Sequence, residues 1–223
     1  MTGGRYAAVV LAGGAARRLG GARKPALAVG GRPMLQQVLD AVADARPRVV
    51  VGPPDLPLPA GVDRTLEQPP GGGPVAAAAA GLALVPAGTP YVALLAADLP
   101  FLTREAVALL REAAGGGDDD DERRRGDEDR RGSDDHGGGD GDGDGVDGAV
   151  FVDSAGRPQW LCGVWRTGAL VSKLGTGRPG TALRTVLGGL RTVRVRAAPA
   201  AGRLPPWYDC DTEADLRRGR DHL

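Results

Sequence analysis

The sequence predicts an α/β domain with a mainly parallel sheet and helices on both faces. Short apolar runs alternate with segments whose apolar residues recur at helical spacing. The runs Tyr6–Ala12 and Tyr91–Ala96 are apolar throughout, as expected of strands buried on both faces of a parallel sheet.

The elements follow in order. Tyr6–Ala12 is a strand that ends in glycines, and a loop rich in glycine and arginine runs from Gly13 to Lys24. Pro33 opens a helix carrying Leu35, Val38, Leu39 and Val42 on one stripe. Arg48–Gly52 is a second strand, and Val62–Leu66 a short third. Gly71-Gly72-Gly73-Pro74 leads into an alanine-rich helix, with proline where the first turn permits it. Tyr91–Ala96 is followed by Asp98, and Thr103 caps a helix over 104–113. Ala149–Val152 and Trp160–Val164 are strands joined through the turn Asp153-Ser154-Ala155-Gly156. A helix over 181–188, a strand through Val193 and Val195, and a helix over 212–221 close the chain.

Length and charge organise these elements into one interrupted body. The 223 residues suit one ordinary domain or two small ones, with no internal repeat of solenoid period. The 28 basic and 28 acidic side chains are unevenly placed. Residues 115–148 hold 14 acidic and 5 basic groups, net −9, and the other 189 residues carry net +9. The acidic stretch contains 12 glycines and a single valine, so it is expected to be a disordered insert within a single domain spanning 1–223. The body is mildly basic, which suits an anionic ligand. Cys162 and Cys210 are too few for a disulfide scaffold, and Cys162 in its apolar strand is expected to be packing rather than a nucleophile. The uncharged run Val75–Ala97 is interrupted by Pro86-Ala87-Gly88-Thr89-Pro90, which breaks it as a membrane span. A soluble, cytoplasmic protein is the expectation, without membrane or nucleic-acid partners.

The strongest chemical signal is Leu11-Ala12-Gly13-Gly14-Ala15-Ala16-Arg17-Arg18-Leu19-Gly20-Gly21-Ala22-Arg23-Lys24-Pro25. It follows a strand, at the sheet edge where open α/β folds bind ligands. Its glycines let backbone N–H groups approach phosphate oxygens, and Arg17 and Lys24 supply cations. Only two of the 28 basic residues are lysines, Lys24 and Lys173, so a compact point charge beside this loop stands out. Neither a P-loop nor a Gly-x-Gly-x-x-Gly pattern is present there.

This segment resembles the nucleotide-binding signature of the molybdenum cofactor guanylyltransferases, Leu-Ala-Gly-Gly-x-x-x-Arg-Met/Leu-Gly-Gly-x-Asp-Lys. Pro69–Gly81, Leu94–Pro100, Gln159–Leu170 and Trp207–Leu216 are similar to further family segments in the same order. The resemblance implies a Rossmann-like nucleotidyltransferase fold. It also implies transfer of GMP from GTP to the terminal phosphate of molybdopterin, with release of pyrophosphate and use of Mg²⁺. Leu11, Ala12, Gly13 and Gly14 would bind the nucleotide with Lys24 and Asp98, and Arg17, Lys24 and Asp98 would be catalytic. Asp98 would hold the metal. Asp211 is a candidate second carboxylate for it, or else belongs to an ordinary capped helix start. Contacts with molybdoenzymes or their chaperones are a further implication. The chain departs from the family pattern at Arg23, Gly52, Gln68 and Trp160. Two rivals stay open: a cytidylyl- or other nucleotidyltransferase of this fold, and a degenerate nucleotide-binding accessory protein.

Overall fold

The computed structural model describes residues 6–13, 24–115, 145–175, 180–197 and 202–222. Its strands are β1 (Tyr6–Leu11), β2 (Ala28–Val29), β3 (Arg32–Pro33), β4 (Arg48–Val51), β5 (Asp63–Thr65), β6 (Tyr91–Ala96), β7 (Gly148–Val152), β8 (Pro158–Arg166) and β9 (Thr192–Val195). Its helices are α1 (Met34–Ala41), α2 (Gly73–Leu82), α3 (Arg104–Ala113), α4 (Thr167–Gly175), α5 (Leu183–Leu187) and α6 (Glu213–Arg220).

Among the described residues, seven strands form the central sheet in the order β5-β4-β1-β6-β8-β7-β9. The pairs β5–β4, β4–β1, β1–β6 and β7–β9 are parallel, and β8 is antiparallel to both of its neighbours. The expected mainly parallel sheet with helices on both faces is therefore observed. The reversal at β8 has a local cause. Asp153 accepts hydrogen bonds from the backbone N–H groups of Ala155 and Arg157, both at 2.9 Å, and from Arg157 Nε at 2.7 Å. That turn sends the chain straight back instead of through a crossover helix.

Alternation along β1 distributes the core. Tyr6, Ala8, Val10 and Ala12 face a cluster with Leu35, Val38 and Leu39 of α1 and Val107 and Leu110 of α3. Ala7, Val9 and Leu11 face Val75, Ala77 and Ala78 of α2, Leu170 and Leu174 of α4, and Leu183 and Leu187 of α5. The alanine-rich helix lies close to the sheet. A Cβ on Gly81 would sit 2.4 Å from Val9 Cγ1 and 2.9 Å from Val51 Cγ2. A third, small cluster joins Val29, Met34, Cys210 and Leu216, docking α6 onto the β2–β3 hairpin.

Helix α4 follows β8 directly, as the similarity of Gln159–Leu170 to a strand-to-helix segment implies, and supplies Leu170 and Leu174 to the core. Two differences from the expectations are structural. The hairpin β2–β3 is present, turning through Gly30 and Gly31 at φ 61° and 77°. The boundaries drawn for the acidic insert at 115–148 are too wide. The Gly115 carbonyl accepts the Tyr91 hydroxyl at 2.7 Å, Asp147 accepts and donates backbone hydrogen bonds at Arg166 and Arg191, and Gly148 begins β7 against Trp165. Residues 116–144, which carry most of that expectation, lie outside the described residues.

Candidate active site

The parallel strands β1, β4, β5, β6 and β7 all end at one edge of the sheet, and β8 starts there. The strand order reverses beside β1, with β4 on one side of it and β6 on the other. Such a reversal opens a crevice at the carboxyl ends of the strands.

Backbone bonds hold the ends of these strands together. Ala12 donates its N–H to the Val51 carbonyl at 2.8 Å, and Ala97 donates to the Leu11 carbonyl at 3.1 Å. Gly52 donates to the Thr65 carbonyl at 3.0 Å. Leu11 and Ala12 are buried, and Gly13 is exposed where β1 leaves the sheet. Gly13 has no positive φ, and among the described residues a Cβ built on it meets only the Val51 carbonyl oxygen, at 4.0 Å. Backbone strain therefore does not explain glycine at this position. Gly52 is different: a Cβ there would come within 3.1 Å of Ala12 Cβ. Close approach of the β1 and β4 ends is what excludes a side chain at Gly52.

Asp98 lies two residues beyond β6, half-buried, among the buried residues Ala97, Leu99, Phe101 and Leu102. Its carbonyl accepts the Cys210 N–H at 3.3 Å, which brings the 209–211 segment alongside it. Asp98 and Asp211 are thus rooted on adjacent strands of chain. Just after Asp211, Thr212 and Asp215 form the cap of α6: Asp215 N–H donates to Thr212 Oγ1 at 3.2 Å, and Thr212 N–H donates to Asp215 Oδ2 at 2.8 Å. The hydrogen bond from Thr212 holds the Asp215 carboxyl below the usual aspartate range. Among the described residues, no three or more His, Cys, Asp or Glu side chains gather as a metal cluster.

Where β7 turns into β8, the edge opens into a cleft of about 440 Å³ lined by Asp153, Arg157, Gln159, Trp207, Tyr208 and Asp209, the last next to the Cys210 that bonds Asp98. Trp207 packs against Phe151 at a centroid separation of 5.2 Å, and Tyr208 against Phe101 at 5.9 Å. Burial, helped by Asp215, pushes the Tyr208 phenol up to about 12, so it stays a donor at neutral pH. Cys162 is wholly buried, and burial pushes its thiol up, consistent with packing.

Of the residues expected to form the site, the structure brings Leu11, Ala12, Gly13, Asp98 and Asp211 to one edge. Gly14 and Arg17 lie outside the described residues. Lys24 starts the 3₁₀ turn Lys24–Ala26, before the β2–β3 hairpin. One further residue at this edge, Glu67, was not foreseen. It is 8% exposed and, among the described residues, is the one buried charged side chain. An acid placed just before the glycine-rich turn Pro69–Gly73 was the available signal.

A family model described as the MobA-like NTP transferase domain matches residues 8–194. The chain belongs to that family. As a MobA-like nucleotidyltransferase it shares its fold with several solved proteins. The molybdopterin-guanine dinucleotide biosynthesis protein A of Archaeoglobus fulgidus is 18% identical, with TM-score 0.63 over 96% of each chain. The 2-C-methyl-D-erythritol 4-phosphate cytidylyltransferase of Thermus thermophilus is 19% identical, with TM-score 0.60 over 95% of this chain and 96% of that one. Rv0371C of Mycobacterium tuberculosis, solved as a complex with manganese, is 15% identical, with TM-score 0.63 over 98% of this chain and 100% of that one. Identities this low carry the fold of the MobA-like domain and not its substrate. No curated protein sequence matches the chain. Among the described residues, no helix is long and apolar enough to cross a membrane.

Proposed function

We propose that this MobA-like domain transfers GMP from GTP to the terminal phosphate of molybdopterin and releases pyrophosphate. The observation that carries the guanine assignment is Gly13. Its φ is not in the left-handed region, yet the position has no side chain, and among the described residues a Cβ there would meet only the Val51 carbonyl oxygen, at 4.0 Å. That arrangement leaves the exposed backbone of Gly13, just past the buried Leu11 and Ala12, for a purine to approach.

An acceptor phosphate oxygen attacks the α-phosphorus of the nucleotide, and the bond from that phosphorus to the bridging oxygen of the leaving pyrophosphate breaks. Both reactants are anions, so the protein's work is positioning and charge neutralisation. Lys24 and Arg17 neutralise the triphosphate, and the N–H groups of the glycine loop bind its oxygens. Asp98, with Asp211 as second carboxylate, would hold Mg²⁺. Two oxygen donors rooted together fit a hard cation that takes its remaining ligands from phosphates and water. When bound, the metal supplies positive charge at the phosphates. The manganese complex of a neighbour of the same fold favours a divalent-cation site. The cleft where β7 turns into β8 suits the acceptor, because Trp207 and Tyr208 offer aromatic surface and Arg157 and Gln159 offer donors.

The fold neighbour that is a cytidylyltransferase supports a second reading, CMP transfer to a phosphorylated acceptor. Pyrophosphate release measured with each of the four NTPs, with and without molybdopterin, separates the two. Release that requires GTP and molybdopterin together is the expected result. Release with CTP in preference to GTP overturns the guanine assignment.

A further inference from the structure

We propose that Tyr208 is a positioning residue for the divalent cation, holding the segment that carries Asp211 against the segment that carries Asp98. This rests on the two-carboxylate reading above and adds the side chain that keeps the pair together.

One side chain reaches both segments. The Tyr208 ring meets Phe101 edge-on, at a centroid separation of 5.9 Å, and Phe101 belongs to the buried run Leu99–Leu102 that follows Asp98. The Tyr208 hydroxyl donates to Asp215, with the carbonyl oxygen and Oδ1 both at 3.3 Å. Asp215 lies in the first turn of α6, four residues past Asp211. The side chain therefore closes a loop over residues 209–211. Cys210, in the middle of that loop, is buried with Val29, Met34 and Leu216, whereas Asp209 and Asp211 on either side of it are exposed. Helix α6 closes on the same place: a Cβ on Gly219 would stand 3.6 Å from Phe101 Cε2 and 3.7 Å from Cys210 Sγ. The Arg218 guanidinium of that helix lies 5.9 Å from the Tyr208 ring centroid.

Electrostatics gives this tie its purpose. Two carboxylates brought together repel each other before a cation arrives, and the repulsion favours spreading of the segments that carry them. The backbone bond from Cys210 to the Asp98 carbonyl is long, at 3.3 Å, and it stops one residue short of Asp211. Tyr208 supplies a second connection of a different kind. It is neutral, so it adds nothing to the repulsion, and its rigid ring sets the separation between Phe101 and Asp215. Ligands whose supporting contacts are preset hold a cation more tightly than ligands that must be ordered when it binds.

The test titrates Mn²⁺ into the full chain without nucleotide and follows the electron paramagnetic resonance of the free ion. Without nucleotide, the ion reports the donors of the protein alone. Asp98→Asn and Asp211→Asn should each weaken binding about tenfold or more. Tyr208→Phe keeps the ring, removes the hydroxyl, and should weaken binding about tenfold. Gly81→Ala is the control for stability: it overpacks the core beneath α2 and should leave Mn²⁺ affinity unchanged. A Tyr208→Phe affinity within about threefold of the wild type, or an equal loss in Gly81→Ala, overturns the proposal. If Tyr208→Phe does not fold, Phe101→Leu takes its place, because it removes the contact on the other side of the ring. It should weaken Mn²⁺ more than about threefold, and a smaller change again overturns the proposal. If the wild type holds no Mn²⁺, or if Asp98→Asn or Asp211→Asn leaves its affinity unchanged, the two-carboxylate reading fails and takes this inference with it. Dependence on both carboxylates but not on Tyr208 overturns this inference alone.

Discussion

Tyr91 and Arg166 stand opposite each other in the β6–β8 register and together hold both ends of the acidic segment. The Tyr91 hydroxyl donates to the Gly115 carbonyl at 2.7 Å, and Arg166 Nε donates to the Val146 carbonyl at 2.8 Å. The Arg166 guanidinium lies 5.4 Å from the Tyr91 ring centroid. Tyr91 begins β6, so this anchorage is at the amino-terminal edge of the sheet, opposite the edge that carries Asp98.

Replacing 116–144 by a short Gly-Ser linker should therefore leave turnover and melting temperature nearly unchanged. The deleted residues offer almost nothing to bury, and a change of loop length costs only a few tenths of a kcal/mol to about 1 kcal/mol. Thermal melts and pyrophosphate-release rates of the linker variant check this. A cooperative loss of folding would mean that the segment is structural. Arg166→Ala, by contrast, should destabilise by about 1–2 kcal/mol through the lost hydrogen bond and cation–π contact.

Asp98→Asn and Lys24→Ala should each lower turnover by about 10²–10³-fold while the protein still melts cooperatively. Asp98 is half-buried beyond a strand end, and its carbonyl, which the substitution keeps, makes the bond to Cys210. Steady-state rates paired with melting curves decide the matter. Rates like those of the wild type in either variant remove that residue from the site.

Gly13→Ala should weaken use of GTP more than use of CTP, with little change in stability. Among the described residues the added methyl meets only one atom, at 4.0 Å, and φ there is not in the left-handed region. Gly81→Ala is the contrasting case, because its methyl would collide with Val9 and Val51. It should cost about 1–3 kcal/mol by overpacking and leave the GTP-to-CTP ratio alone. Comparing kcat/KM for both nucleotides in the two variants, alongside urea melts, tests the pair.

Thr212→Ala should destabilise by about 1 kcal/mol at neutral pH through loss of the α6 cap. The cap depresses the Asp215 carboxyl in the folded state, so its contribution is complete above the ordinary aspartate value of about 3.9 and fades as pH falls through the lower folded value. The stability gap between wild type and Thr212→Ala should accordingly narrow under acid conditions below pH ~4. Urea melts at neutral pH and in acid below the ordinary aspartate value measure it, and a gap that widens in acid contradicts this account.

Much of this fold was legible because the signals are local. Tyr91–Ala96 and the helix 104–113 with its Thr103 cap appear within the bounds that apolar runs and capping residues suggest. What the sequence by itself determined was which strands build the central sheet and which strand ends carry polar residues or glycine. Tertiary structure alone decided what those ends meet. Gly13 and Gly52 look alike in sequence, yet among the described residues a Cβ on Gly13 would meet only the Val51 carbonyl oxygen, at 4.0 Å, whereas one on Gly52 would press against Ala12 at 3.1 Å. The burial of Glu67 is decided by the turn Pro69–Gly73 folding over it and by the alignment of β5 with β4, contacts that periodicity does not encode. The approach of Cys210 to Asp98 likewise joins residues far apart in the chain. Local propensity is a property of neighbours in the chain, whereas desolvation and close approach are properties of neighbours in space.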